Sequence, residues 1–164
     1  MKVLLLSAFL VATLAATSVR AQQPDLLLTL QLEKAQLNVG EPIMVRVLIE
    51  NRSPVDLVIN RRLLVNRPIG PHEIFFQITG PDGRQVPFEA RIRESFESRE
   101  FILLGTQRSY GKLYDLASEH EIKTPGEYSV VAFYENQQDA PAALSLSPAW
   151  KGRLQSQAVK FSLK

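Results

Sequence analysis

With 164 residues, 45% of them apolar, the chain is long enough to fold as one domain around its own core. Nineteen Lys and Arg against 17 Asp and Glu give a net charge of +2, which lacks the basic footprint of a nucleic-acid binder. There is no cysteine, which excludes disulfide stapling, thiol catalysis and lipid attachment through a cysteine.

The first 21 residues read as a secretory signal peptide. Lys2 supplies a positive charge, Val3 to Ala16 is apolar, and Val19-Arg20-Ala21 offers small residues for cleavage ahead of Gln22. The apolar run is short, and Thr17, Ser18 and Arg20 follow it too closely for a comfortable membrane span. Lys2 and Arg20 leave with this segment, which holds no acid, so residues 22–164 carry 17 basic and 17 acidic residues. The expected product is one neutral domain over residues 22–164, exported to a periplasm or beyond the cell, with no stable membrane anchor. Its stability must come from packing, at about 25 cal/mol per Å² of apolar area.

Period-two alternation then marks strands along the chain. Leu28, Leu30 and Leu32 alternate with Thr29, Gln31 and Glu33. After Gly40-Glu41-Pro42, the residues Ile43, Val45, Val47 and Ile49 alternate with Met44, Arg46, Leu48 and Glu50. Asn51-Arg52-Ser53-Pro54 interrupts this run, and Val55, Leu57 and Ile59 resume it, as either a hairpin or a corner that changes sheets. From Asn60 to Pro71 the chain is irregular and basic. Ile74, Phe76 and Ile78 form the next strand, with Glu73, Gln77 and Thr79 on its other face. The outward ring of the Phe75–Phe76 pair is expected beneath the Arg61–Pro71 connection.

Gly80-Pro81-Asp82-Gly83 is a turn, since proline presets its φ and glycine tolerates positive φ. A return strand is expected through Val86, Phe88, Ala90 and Ile92, at a sheet edge because Pro87 has no N–H. Phe101 to Leu104 and Tyr110 to Leu116 are two more strands. Tyr128 to Tyr134, apolar on both faces in its middle, reads as a central strand. Gln137 to Gly152 reads as a loop, and Val159, Phe161 and Leu163 as the last strand. The fold class is therefore all-β, an antiparallel sandwich of eight or nine strands without a helix in the exported part.

Ile122, Pro125-Gly126 and Tyr128 are spaced like the tyrosine corner of immunoglobulin-like and fibronectin-like sandwiches. Val39-Gly40-Glu41, Ile49 to Val55, Ile78 to Phe88, Tyr114-Asp115-Leu116 and Pro125 to Val130 occur in an order that resembles a known domain. It is the immunoglobulin-like N-terminal domain of deuterolysin-type secreted zinc metallopeptidases. The resemblance covers roughly two thirds of residues 22–164 and implies an exported immunoglobulin-like β-sandwich. In that family a zinc protease with a His-Glu-x-x-His helix follows the sandwich. This chain has only His72 and His120, too far apart for such a helix. A weaker likeness, in the same turn and Pro-Gly-x-Tyr elements, is to the small β-sandwich proteinase inhibitor of bacilli.

No residue pattern carries catalysis. There is no Gly-x-Ser-x-Gly elbow. The carboxylates Glu94, Glu97 and Glu100 lie in a charged, Ser-rich stretch without apolar surroundings to raise a pKa. Glu119-His120-Glu121 reads as a solvated loop, because neighbouring residues on an extended chain point apart and rarely ligate one metal. No cofactor, metal or enzymatic activity is expected. Arg61, Arg62 and Arg67, with Arg52, are candidates for a basic cluster contacting an anionic glycan, a lipid headgroup or an acidic partner. Trp150 either reaches outward for a partner or plugs the open end of the sandwich. The expected function is a non-catalytic module binding another protein or a cell-surface polymer. The alternative is an inhibitor or pro-domain acting in trans on a secreted metallopeptidase.

Overall fold

The computed structural model describes residues 25–63, 65, 73–89, 101–140 and 148–164. Residues 1–24, Arg67, His72 and the acids at 94, 97 and 100 lie outside the described residues. Those described are all-β, with one short 3-10 turn at Leu116–Ser118. No helix among them is long and apolar enough to cross a membrane.

The first sheet has three antiparallel strands, β1 (Leu26–Leu32), β3 (Met44–Asn51) and β7 (Ser109–Asp115), in the order β1-β3-β7. Its register follows from alternation. Leu28 pairs with Ile49 and Leu30 with Val47, all buried, so a one-residue slip would turn these apolar side chains to solvent. The second sheet runs β2 (Gln36–Leu37), β10 (Val159–Leu163), β8 (Gly126–Asn136), β5 (Ile74–Thr79), with β9 (Gly152–Gln155) also on β8. β8 is central, as its two apolar faces require. β1 runs close to β8, β9 and β10, so inward side chains from both sheets share one core. Val45, Val47, Ile49, Ile74, Ile78 and Val130 are completely excluded from solvent there.

The chain between Ile43 and Asn60 is a corner rather than a hairpin. β4 (Leu57–Asn60) pairs not with β3 but with β6 (Phe101–Leu104), forming a separate two-stranded ribbon. Asn51, fully buried, holds the corner with both ends of its amide. Its Nδ2 donates to the carbonyls of Val55 and Leu104 at 2.8 and 2.9 Å. Its Oδ1 accepts from the Ser53 N–H at 2.9 Å and the Ser53 hydroxyl at 2.7 Å. Such full satisfaction is what makes a buried amide tolerable.

Two sequence expectations need correction. The return strand after Gly83 is absent between Gln85 and Glu89, where single bridges join Gln85 to Thr79 and Phe88 to His120. Pro87 cannot donate to a ladder, and the segment crosses to the Leu116–His120 turn instead, where the Glu89 N–H donates to the Glu119 carbonyl. The expected loop up to Gly152 runs straight into β9. β9 and β10 are successive partners along β8. Between the pairs Phe133–Gln155 and Val130–Val159, three steps on β8 oppose four on the other strand. That extra residue is a bulge. Ser156 repairs it, its hydroxyl accepting the Ala132 N–H at 2.9 Å and donating to the Gln157 carbonyl at 2.8 Å.

Candidate functional site

The motifs that stand apart in sequence meet in space. Gly126 opens β8 with φ of +139°, and a Cβ there would lie 2.5 Å from Pro81 Cγ. Gly80 lies close to the Tyr128 ring, and Gly83, at φ +77°, closes the turn by donating to the Gly80 carbonyl at 3.0 Å. Tyr128 is buried, stacked on Phe161 with centroids 5.0 Å apart, and its hydroxyl donates to the Thr124 carbonyl at 2.7 Å. This is the bond expected of a tyrosine corner. Tyr128→Phe should keep the stack and lose the bond, lowering stability by about 0.5–1.5 kcal/mol. An unchanged urea midpoint would show that the hydroxyl contributes nothing.

At the other side of the fold the basic residues after β4 take different positions. Arg61 is exposed and Arg62 is partly buried. The Arg62 guanidinium is turned onto Glu73, with Nη2 2.6 Å and Nε 3.0 Å from Oε1. The Glu73 side chain is 5% exposed, although alternation along β5 places it on the polar face. Asn60 completes the arrangement. Its Nδ2 donates to Glu73 Oε1 at 3.0 Å, and its Oδ1 accepts the Arg62 N–H at 3.0 Å. The Asn60 N–H also donates to the Tyr134 hydroxyl at 3.3 Å. The Tyr114 hydroxyl donates to the Leu63 carbonyl at 2.7 Å. Burial pushes both phenols well above the usual tyrosine range, so they stay protonated.

Trp150 is half-buried and stacks on Tyr134 with centroids 5.9 Å apart. Its backbone N–H donates to the Val58 carbonyl of β4 at 2.8 Å, and its own carbonyl accepts from Asn136 Nδ2 at 2.7 Å. Beside it on β8, Phe133 stacks on Phe75 at 4.6 Å, with the Arg153 guanidinium over both rings. Phe75 is thus the outward ring of its pair, and this stack covers it.

The β4–β6 ribbon carries the exposed apolar side chains of this region. Leu103 is 52% exposed, and Val55, just before β4, is 59% exposed. Arg61 directly follows the ribbon. Sequence alternation gives no sign of this grouping, because it depends on β4 pairing with β6. A separate groove of about 250 Å³ lies between β1, β2 and the start of β3. Leu37, Pro42 and Met44 line it with Glu33, Lys34 and Glu41. Glu41 is tied down by the Asn38 backbone and side chain, which hold its carboxyl below the usual range.

His120 departs from expectation. It is 4% exposed rather than solvated, enclosed by Phe88 at 5.4 Å and by Pro87, whose carbonyl lies 3.2 Å from Nδ1. The Glu119 and Glu121 side chains flanking it gave the opposite signal. Among the described residues no group of three His, Cys, Asp or Glu is placed to hold a metal ion. The chain matches no family model, and no curated protein is similar to it.

Proposed function

We propose that this chain is an exported, non-catalytic immunoglobulin-like β-sandwich that binds another protein. One observation carries this reading. Leu103 on the β4–β6 ribbon and Val55 just before it are large apolar side chains left open to solvent, with the exposed Arg61 following β4 in the chain. Interfaces are built this way, around apolar side chains with charge at the rim, where arginine is favoured. A partner with an acidic rim fits it. Two sheets around one core and the Tyr128–Thr124 bond support the immunoglobulin-like assignment.

A second reading, action in trans on a secreted metallopeptidase, rests on the resemblance to the deuterolysin-type domain, in segments where Pro81 packs against Gly126. Both residues belong to the pieces resembling the deuterolysin-type domain, and their contact gives those pieces a common structural purpose. The test is capture from the extracellular and envelope fractions of the source. The exported protein is compared with a Leu103→Asp, Arg61→Glu variant of equal thermal stability. Wild type should retain a protein that the variant loses. Equal capture by both forms would reject the ribbon as the contact. Capture of a metallopeptidase would select the second reading.

A further inference from the structure

We infer that His120 is an acid-sensitive latch, fastening residues 87–89 to the Leu116–His120 turn when neutral and releasing them when protonated. The geometry favours the neutral imidazole in the closed form. Nδ1 lies 3.2 Å from the Pro87 carbonyl, which has only lone pairs to offer, so Nδ1 carries the proton and donates. Nε2 is then the unprotonated nitrogen. It is buried and has no hydrogen-bond partner among the described residues. A second proton would put an N–H donor and a positive charge where there is no acceptor, a state that burial strongly disfavours.

The charges nearby do not relieve this. Glu119 and Glu121 flank His120 on its own segment, and Glu89 comes from the facing one. Glu121 is engaged with Lys123 at 2.6 Å and with Glu89, and none of these carboxylates bonds the imidazole. Burial accordingly holds the His120 pKa below its ordinary value, with the Pro87 and Val86 carbonyls opposing that shift. In the open form the ring meets water and regains a pKa near 6.5.

The sign follows from linkage. The open state binds the proton more readily, so closure is complete above pH 6.5 and weakens as pH falls from there toward the depressed closed-state value. The contacts at stake are local. They are the Phe88–His120 bridge, the Nδ1–Pro87 bond and the Glu89 N–H to Glu119 carbonyl bond. Opening also uncovers the Phe88 ring.

Hydrogen exchange followed by NMR on the wild-type protein tests the latch. Corrected for intrinsic exchange, protection of the Glu89 amide should fall by up to about tenfold between pH 7.5 and pH 5.5. Protection of the Ala132 amide, bonded to the Ser156 hydroxyl, and of the Asn51 amide, bonded to the Arg108 carbonyl, should hold. His120→Phe keeps an aromatic ring in the site and should remove the pH dependence at Glu89, whereas His72→Gln should leave it intact. The latch is rejected if the His120→Phe protein loses protection just as wild type does. It is equally rejected if all three amides lose protection together. Should His120→Phe not fold, the imidazole titration of wild type decides. A His120 ring that titrates near 6.5 with the Glu89 amide still protected overturns the proposal.

Discussion

Gly126→Ala is expected to lower stability by roughly 2–6 kcal/mol, adding backbone strain to overpacking, each about 1–3 kcal/mol. At φ +139° an L-residue is strained whatever space surrounds it. Here there is no space either, because the new Cβ would sit 2.5 and 2.6 Å from Cγ and Cβ of Pro81. A proline ring cannot swing aside like the end of a flexible chain, so the Gly80–Gly83 turn would have to move. That turn is anchored by the Gly80 N–H on the Arg84 carbonyl at 2.8 Å and by the Val86 N–H on Ile78 at 2.8 Å. Domains of this size are stable by only about 5–15 kcal/mol, so the variant should approach unfolding at ambient temperature. Urea midpoints check the effect. A loss no larger than that of Tyr128→Phe would mean that the turn yields freely.

This contact also explains what was legible in the sequence. Turn chemistry is local, so Gly80-Pro81-Asp82-Gly83 and Pro125-Gly126 declare their backbone conformations without reference to the rest of the chain. Alternation likewise gives β1, β3, β5 and β10, since each has a buried face, while β8 shows as a run apolar on both faces. Neither signal says which strand lies alongside which. Leu57 and Ile59 alternate equally well as a partner of β3 or of β6, and Asn51 decides by bonding the Leu104 carbonyl across the corner. β9 is hidden for another reason. Gly152-Arg153-Leu154-Gln155 contains no β-branched residue, and it is a strand because β8 has a free ladder beside it.

The candidate site was less legible because its chemistry depends on distant partners. Glu119-His120-Glu121 looks solvated in isolation, and the groups that bury His120 are Pro87 and Phe88, more than thirty residues earlier. Glu73 looks outward-facing, yet Arg62, eleven residues before it, folds back to cover it. Charged residues are read from sequence as surface because burying them is expensive. The exceptions are paired, and pairing belongs to the tertiary fold.

That pairing makes Glu73→Ala the other large expected effect, a loss of about 2–4 kcal/mol. Removing one partner from a buried ion pair typically costs about 3–5 kcal/mol, because the remaining charge stays desolvated. The Arg62 side chain is 18% exposed, so part of its guanidinium can recover hydration, which reduces the figure. The carboxylate also takes Asn60 Nδ2, while the Glu73 carbonyl accepts the Glu135 N–H at 3.1 Å. One residue thus joins the exit of β4 to the entry of β5 and to β8. Glu73→Leu combined with Arg62→Met removes both charges and should recover at least half of the loss, since apolar replacements of buried pairs are often neutral. Denaturation of Glu73→Leu, Arg62→Met and the double variant closes the cycle. A cost below about 0.5 kcal/mol for Glu73→Ala would place the pair with ordinary surface salt bridges. The same Arg62→Met protein separates structure from recognition. If the guanidinium serves the fold, partner capture per folded molecule is unchanged, and any binding loss must come from Arg61 and Leu103.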